Sequence, residues 1–280
     1  MMREHTTTPL VEGLGFLEGP RWREGLLWFS DFVSRKVHTV DLEGKLTDVV
    51  QVEHVPSGLG WLPDGRMLIV SMEDRRLLRL DDGTLALHAD LSSHATYHCN
   101  DMVVDAQGRA YVGNFGFNYE TGDAPVGAKL MRVDPDGSTH VAAEDLLFPN
   151  GTVITPDGKT MVVGESFGAR LSAFDVADDG TLSNRRVWAQ LDGGRIPDGN
   201  CLDADGAIWI ASPTTKEVVR VLEGGEITDR ISTDEREAIA CMLGGEDRRT
   251  LFVLASTLAR EPGSGSISTA AVDVPGAGLP

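Results

Sequence analysis

Six residues far apart in the chain, Glu18, Ser57, Asn100, Asn150, Asp198 and Ala240, occupy one position of a pattern that recurs about every forty residues. From the second copy onward this position lies seven residues before the turn residue that matches the Asp of Pro-Asp-Gly or Ala-Asp-Gly, while Glu18 requires a one-residue shift. If the copies converge in space, Glu18, Asn150 and Asp198 offer two carboxylates and one amide oxygen, with Asn100 and Ser57 beside them. An all-oxygen set suits a hard divalent cation, and the absence of His and Cys from the position speaks against a typical zinc centre. So few protein donors would leave coordination positions for water and substrate. Taken one at a time, Asp, Asn and Ser at strand starts are also common turn formers. Their shared phase is the stronger signal. Two like charges held close together cost on the order of several kcal/mol unless a cation or a shared proton relieves them, and a metal is the simplest relief.

The elements that would bring these residues together follow from the same pattern. Each copy is a short apolar run, a tight turn such as Pro63-Asp64-Gly65 or Pro156-Asp157-Gly158, and a second run rich in Val, Ile, Leu and Trp. This predicts strand, hairpin and strand, with glycine at the positive-φ position of the turn. A third strand follows in most copies, for example over 36–41, 77–80, 129–133, 170–174 and 218–221. A small antiparallel sheet of this kind cannot bury both faces or protect its edges alone, so neighbouring copies must stack on it. The predicted fold is an all-β, six-bladed propeller with four-stranded antiparallel blades and a central metal site, a single domain over residues 1–280. Leu10, Val11 and Leu14 before the first copy and residues 266–274 after the last predict one blade built from both termini. Residues 261–265 read as a loop of that blade and Pro275 to Pro280 as a frayed end.

Composition narrows the function. A net charge of −18 over 280 residues argues against nucleic acid and against an anionic membrane surface. The N-terminal segment has no apolar core of signal-peptide length and no apolar run could span a bilayer, so a cytoplasmic location is expected. Cys99, Cys201 and Cys241 have no CxxC spacing and are expected to be buried, inert thiols rather than nucleophiles, a disulfide framework or a zinc site. Nothing in the sequence assigns an oligomeric state.

Glu18-Gly-Pro-Arg-Trp22, the Asn100-Asp101 pair, Pro149-Asn-Gly151 and Pro197-Asp-Gly-Asn200 resemble, in order and over nearly the whole chain, the SMP-30/gluconolactonase/luciferin-regenerating-like group of six-bladed propellers. The resemblance implies hydrolysis of a lactone and one divalent ion held by Glu18, Asn150 and Asp198. It also implies a metal or substrate contact at Asn100 and a general base at Asp198, for which Asp101 is a second candidate. Calcium is the first expectation for the ion, with zinc, magnesium, manganese and iron(II) also compatible with oxygen donors. No GxSxG motif or Ser-His-Asp order competes for the nucleophile role. Sugar-lactone members carry an arginine where this chain has His98, a glycine where it has Met102, and an acidic residue that aligns with Asn118. An arginine fork and a carboxylate, both good partners for hydroxyls, are thus replaced by an imidazole and the rings of Phe115, Phe117 and Tyr119. These rings either line a pocket or pack between blades. The expected substrate is a small-molecule lactone or ester less hydroxylated than gluconolactone, with His98, Asn100 and Asp101 as substrate contacts. Two further readings remain open here: a calcium-dependent hydrolase acting on phosphotriesters, and a non-catalytic propeller that binds a metal or ligand.

Overall fold

The computed structural model describes residues 2–278. Six sheets succeed one another along the chain, each with its first strand at the polar position or, in blade 5, just after it. These first strands are Leu17–Arg23, Pro56–Trp61, Cys99–Val104, Pro149–Ile154, Asn200–Leu202 and Glu237–Gly244. Each packs on the first strands of the blades before and after it, and the sixth packs on the first, so they close a circle around a central axis. The second strands, such as Met67–Ser71, Ala110–Asn114 and Ile208–Ser212, are buried throughout because blades cover them on both faces. The fourth strands, such as Leu46–Gln51 and Leu182–Gln190, are largely exposed.

The ring closes as the termini predict. Thr8–Leu14 from the N-terminus pairs antiparallel with Gly265–Ala271 and becomes the outer strand of blade 6, with Gly265–Ala271 between it and Thr250–Ser256. Two features differ from expectation. Blade 5 has a fifth strand, because Arg3–Glu4 adds in parallel to the edge of Ile227–Ser232. The predicted frayed end is docked as far as it is described: Ala204 N–H donates to Pro275 O at 2.8 Å, Gly276 N–H to Arg248 O at 2.8 Å and Ala277 N–H to Leu202 O at 3.0 Å. Backbone groups at an edge hairpin that would otherwise face water find partners in this segment. Leu279 and Pro280 lie outside the described residues.

Burial follows the blade interfaces. Five apolar clusters lie between neighbouring blades, including Leu59, Ile69 and Val37 between blades 1 and 2, and Val112, Met131 and Leu68 between blades 2 and 3. A sixth cluster belongs to no single interface. Phe16, Phe32, Val55, Met72, Phe115, Phe117, Phe148 and Ile239 come from loops and strand starts of several blades and lie together on the side where the first strands begin.

Candidate functional site

The backbone presents the polar position through a repeated distortion. In blade 1, Glu18 pairs with Ser30 but Arg21 with Trp28, so three steps on the inner strand oppose two on its neighbour. The same slip occurs between Pro56 and Leu59, between Cys99 and Met102, and between Pro149 and Thr152. Ser57, Asn100 and Asn150 therefore sit in β-bulges, which bend the strand and re-aim a side chain. Asp198 precedes its strand and is fixed by its N–H to Ala211 O at 2.9 Å, while Gly199 N–H reaches Ile239 O of blade 6 at 3.0 Å.

The residue after the polar position is Gly19, Gly58, Gly151 or Gly199 in four blades, and the reason is contact between neighbouring inner strands. A Cβ on Gly58 would lie 2.4 Å from Met102 N, and one on Gly151 would lie 2.4 Å from Asp198 O. In blade 3 the equivalent residue is Asp101, and the missing side chain of Gly58 leaves room for it.

At the centre, Asn150 Nδ2 donates to Asp198 Oδ1 at 2.6 Å and to Ser166 Oγ at 3.2 Å, and the Ser166 hydroxyl donates to Pro197 O at 2.7 Å. The amide is thereby oriented, while Asn150 Oδ1 is buried with no hydrogen-bond partner. Glu18 is buried, and its Oε2 accepts only the N–H of Gly19, at 3.1 Å, among the hydrogen bonds of the described residues. Asp101 is held differently: its Oδ1 accepts from Arg21 Nη2 at 3.0 Å and from Met102 N–H at 2.8 Å, and Arg21 also reaches Met102 O. Both partners of this ion pair are buried, with side-chain exposures of 7% for Arg21 and 3% for Asp101.

These surroundings raise the proton affinity of the axial carboxylates. Burial pushes the Glu18 carboxyl well above its ordinary range, and the charges of Asp198 and Asp101 push it further. Asp198 is raised to about 7, chiefly by burial, with the Asn150 hydrogen bond opposing and the Asp101 charge adding. Glu165 of blade 4 provides a contrast. Burial pushes it up too, but bonds from Arg170, Leu147 N–H, Ser172 and Arg185 outweigh that and hold it down at about 2. A buried carboxylate elsewhere in this protein is therefore neutralised by arginines, whereas on the axis the neighbouring arginine is already committed to Asp101.

The donor set is two carboxylates plus an amide, and among the described residues no group of three or more His, Cys, Asp or Glu side chains is placed to hold a metal. The unpartnered Asn150 Oδ1 beside two carboxylates of excess negative charge nonetheless fits a hard cation, which needs oxygen donors and supplies the missing positive charge. Asn100 lies buried in its bulge with Nδ2 unpartnered. His98 lies in an aromatic group, stacked on Tyr97 at 4.1 Å between ring centroids and 5.9 Å from Phe115. Burial lowers its pKa and favours the neutral ring. Phe115 and Phe117 are buried and pack across the boundary between blades 3 and 4. Phe115 stacks on Phe148 at 4.3 Å, Phe117 meets the edge of Phe167 at 4.9 Å, and Tyr119 meets Phe148 at 5.9 Å. Asn118, where an acidic residue was noted as absent, caps a short 3₁₀ turn by accepting Glu120 N–H at 3.1 Å.

Sequence reasoning passed over Arg21, Ser166, Phe16, Phe148 and Arg260. Arg21 left a signal, a cation that follows four apolar or acidic positions at the buried start of its strand, whereas Arg23 lies at the half-buried end. The remainder owe their positions to loops from separate blades. The three cysteines are free and buried, as expected, with Cys201 Sγ and Cys241 Sγ 4.0 Å apart. Two cavities of about 570 and 520 Å³ open at the hairpin-turn end of the axis, lined by residues such as Pro63, Asp105, Asp157 and Gly245. Arg21 lines both of them. They lie on the far side of the Arg21–Asp101 pair from the aromatic mouth.

Known proteins agree with this architecture. Residues 16–257 match the family described as SMP-30/Gluconolactonase/LRE-like region. A 6-deoxy-6-sulfogluconolactonase of Pseudomonas putida is 28% identical over 278 residues, covering 94% of this chain and 93% of the relative. Regucalcin of Xenopus laevis is 27% identical, covering 89% of this chain and 88% of the relative. Among solved structures, a calcium-binding protein, regucalcin, from Agrobacterium tumefaciens superposes with a TM-score of 0.83 at 22% identity over 100% of this chain and 99% of that one, a likeness of fold. With the match running through all six blades, the chain belongs to the SMP-30/gluconolactonase/LRE-like family.

Proposed function

We propose that this protein hydrolyses a lactone of low hydroxyl content, that Glu18, Asn150 and Asp198 hold a divalent cation, and that Asp198 is the general base. Membership of the family supports lactone hydrolysis in general. The observation that carries the assignment of roles is the contrast between two neighbouring carboxylates. Asp198 has a pKa raised to about 7, suited to exchanging a proton near neutrality. Asp101 is locked to Arg21 and the Met102 N–H, which ties down the oxygen a base would need. Asp101 is thereby a fixed negative charge that raises the basicity of its neighbours.

A divalent cation bound at Glu18, Asn150 and Asp198 would supply Lewis acidity toward a carbonyl oxygen and compensate the buried charge. Asp198 accepts a proton from water as the water oxygen bonds to the lactone carbonyl carbon. It returns that proton to the ring oxygen as the carbon–oxygen bond breaks, releasing a hydroxy acid and regenerating the carboxylate. Asn150 keeps Asp198 oriented through its Nδ2, and Ser166 keeps Asn150 oriented. The aromatic group supports the substrate class, since Tyr119 and Phe167 expose their rings above the buried Phe115 and Phe148 while Asn118 spends its side-chain oxygen on a turn.

The test is Asp198→Asn. Its lactone hydrolysis is expected to fall about a hundredfold or more, with the far-ultraviolet spectrum and the cooperativity of unfolding unchanged. A variant that keeps above about a tenth of the wild-type kcat would remove Asp198 from the role of base.

A further inference from the structure

Arg260 stands on the loop between Thr250–Ser256 and Gly265–Ala271 of blade 6, and its guanidinium crosses the mouth to blade 3, which is opposite in a ring of six. Nη2 donates to Tyr119 Oη at 3.1 Å, and Nη1 lies 3.6 Å from Glu120 Oε1. The guanidinium carbon sits 5.4 and 5.5 Å from the ring centres of Phe16 and Phe32. Burial dominates the titration of Tyr97, His98 and Tyr119, and the Arg260 charge acts on each of them, while the Asp198 charge also reaches Tyr119. Phe16 stands two residues before Glu18, and Tyr119 meets Phe148, two residues before Asn150, so the guanidinium lies at the end of the axis where the inner strands begin.

A guanidinium carries five N–H donors in a planar fork. Tyr119 Oη takes one of them, and the structure shows no other side-chain hydrogen bond from Arg260 among the described residues. Its contact with Glu120 is solvent-exposed on both sides, with side-chain exposures of 31% and 56%, and such pairs contribute only about 0–1 kcal/mol. The bridge is easily exchanged for a better acceptor. A carboxylate matches the free edge of the fork with two parallel bonds, while the rings of Phe16 and Phe32 support the guanidinium from its faces. A molecule with a net charge of −18 does not draw anions by its general field, so recognition of one requires a local cation at the mouth.

We infer that Arg260 is a specificity-determining residue that selects lactones bearing a pendant carboxylate on an otherwise apolar frame, an assignment that rests on the lactonase function proposed above. The exposed rings of Tyr119 and Phe167 take the frame and Arg260 takes the carboxylate, which leaves the ring ester for Asp198. Selection of this kind appears in KM, since the guanidinium touches a part of the substrate remote from the reacting bond.

The experiment compares an aryl-substituted lactone carrying a free carboxylate with its neutral methyl ester, in wild type and Arg260→Gln. Wild type is expected to favour the carboxylate by about ten- to a hundredfold in kcat/KM, through KM, and Arg260→Gln to lose that preference because its kcat/KM falls for the carboxylate far more than for the methyl ester. Titration of phenylacetate and phenylacetamide into chelator-treated protein reads the same selectivity without turnover, phenylacetate binding more tightly to wild type and equally with the amide to the variant. Hydrolysis of the neutral ester with no preference for the carboxylate, or a preference that survives in Arg260→Gln, overturns the inference and leaves the lactonase function standing. Failure of wild type to open either lactone overturns that function and this selection with it.

Discussion

At the scale of the residue, the axis of this protein is governed by how buried negative charge is compensated. Arg21 is spent on Asp101, and Glu18 and Asp198 are left to be satisfied by protons or by a cation. The Arg21–Asp101 pair is testable apart from catalysis. Arg21→Met would leave a buried, uncompensated carboxylate and is expected to lower stability by about 3–5 kcal/mol in chemical denaturation. Adding Asp101→Asn to that variant should restore a large part of the loss, because the penalty lies in the orphaned charge. If the double variant is no more stable than the single one, Asp101 is not held by Arg21 in the way described. The order of residue types along the chain gives no hint of this partnership, since the two stand 80 positions apart.

At the scale of the element, the β-bulge and the glycine that follows it do the positioning. The bulge turns the polar side chain out of the sheet, and the glycine lets the next inner strand approach closely enough for the polar residues of different blades to meet. Gly58→Ala would drive a methyl group to within 2.4 Å of Met102 N, a backbone atom of the neighbouring blade that has little freedom to move. The expected result is a loss of about 1–3 kcal/mol, measured by thermal or denaturant unfolding, together with weakened activity because Asp101 is displaced with its strand. Gly65→Ala serves as the comparison, since no atom lies within 4 Å of its Cβ and only the positive φ of 89° opposes the change. Equal activity losses in the two variants would argue that blade spacing is not what Gly58 provides.

At the scale of the whole molecule, the site is a property of ring closure. No blade contains more than one of Glu18, Asn150 and Asp198, and the ring that gathers them is completed by the pairing of Thr8–Leu14 with Gly265–Ala271. Stability and charge are coupled in consequence. A carboxyl whose folded pKa is raised, as for Asp198 at about 7 against 3.8, favours the folded state at low pH and loses that contribution as pH rises through the folded value. Glu18 is shifted in the same direction. Chelator-treated protein should therefore lose thermal stability between about pH 4 and pH 7, beyond what its other groups contribute, and the loss should shrink in Asp198→Asn. A divalent cation should raise Tm more at pH 8 than at pH 5, since it competes with protons for the same oxygens. A cation-induced shift that is absent, or larger at pH 5, would contradict the assignment of the axial carboxylates as its ligands.

The strands, their hairpins, the sixfold repeat and the common phase of Glu18, Ser57, Asn100, Asn150, Asp198 and Ala240 were determined by the amino-acid sequence alone, because side-chain alternation and turn chemistry act over a few residues. That phase sufficed to predict both the propeller and the residues that gather at its axis. Only the tertiary structure decided that Asp101 is pinned by Arg21, that the terminal segment through Ala277 is docked, and that the aromatic rings gather in one cluster where the inner strands begin. It also decided that Arg260 meets Tyr119, 141 positions away. Contacts between loops of different blades depend on how far each loop leans over the axis, which is set by packing among all of them and leaves no periodic trace in the chain.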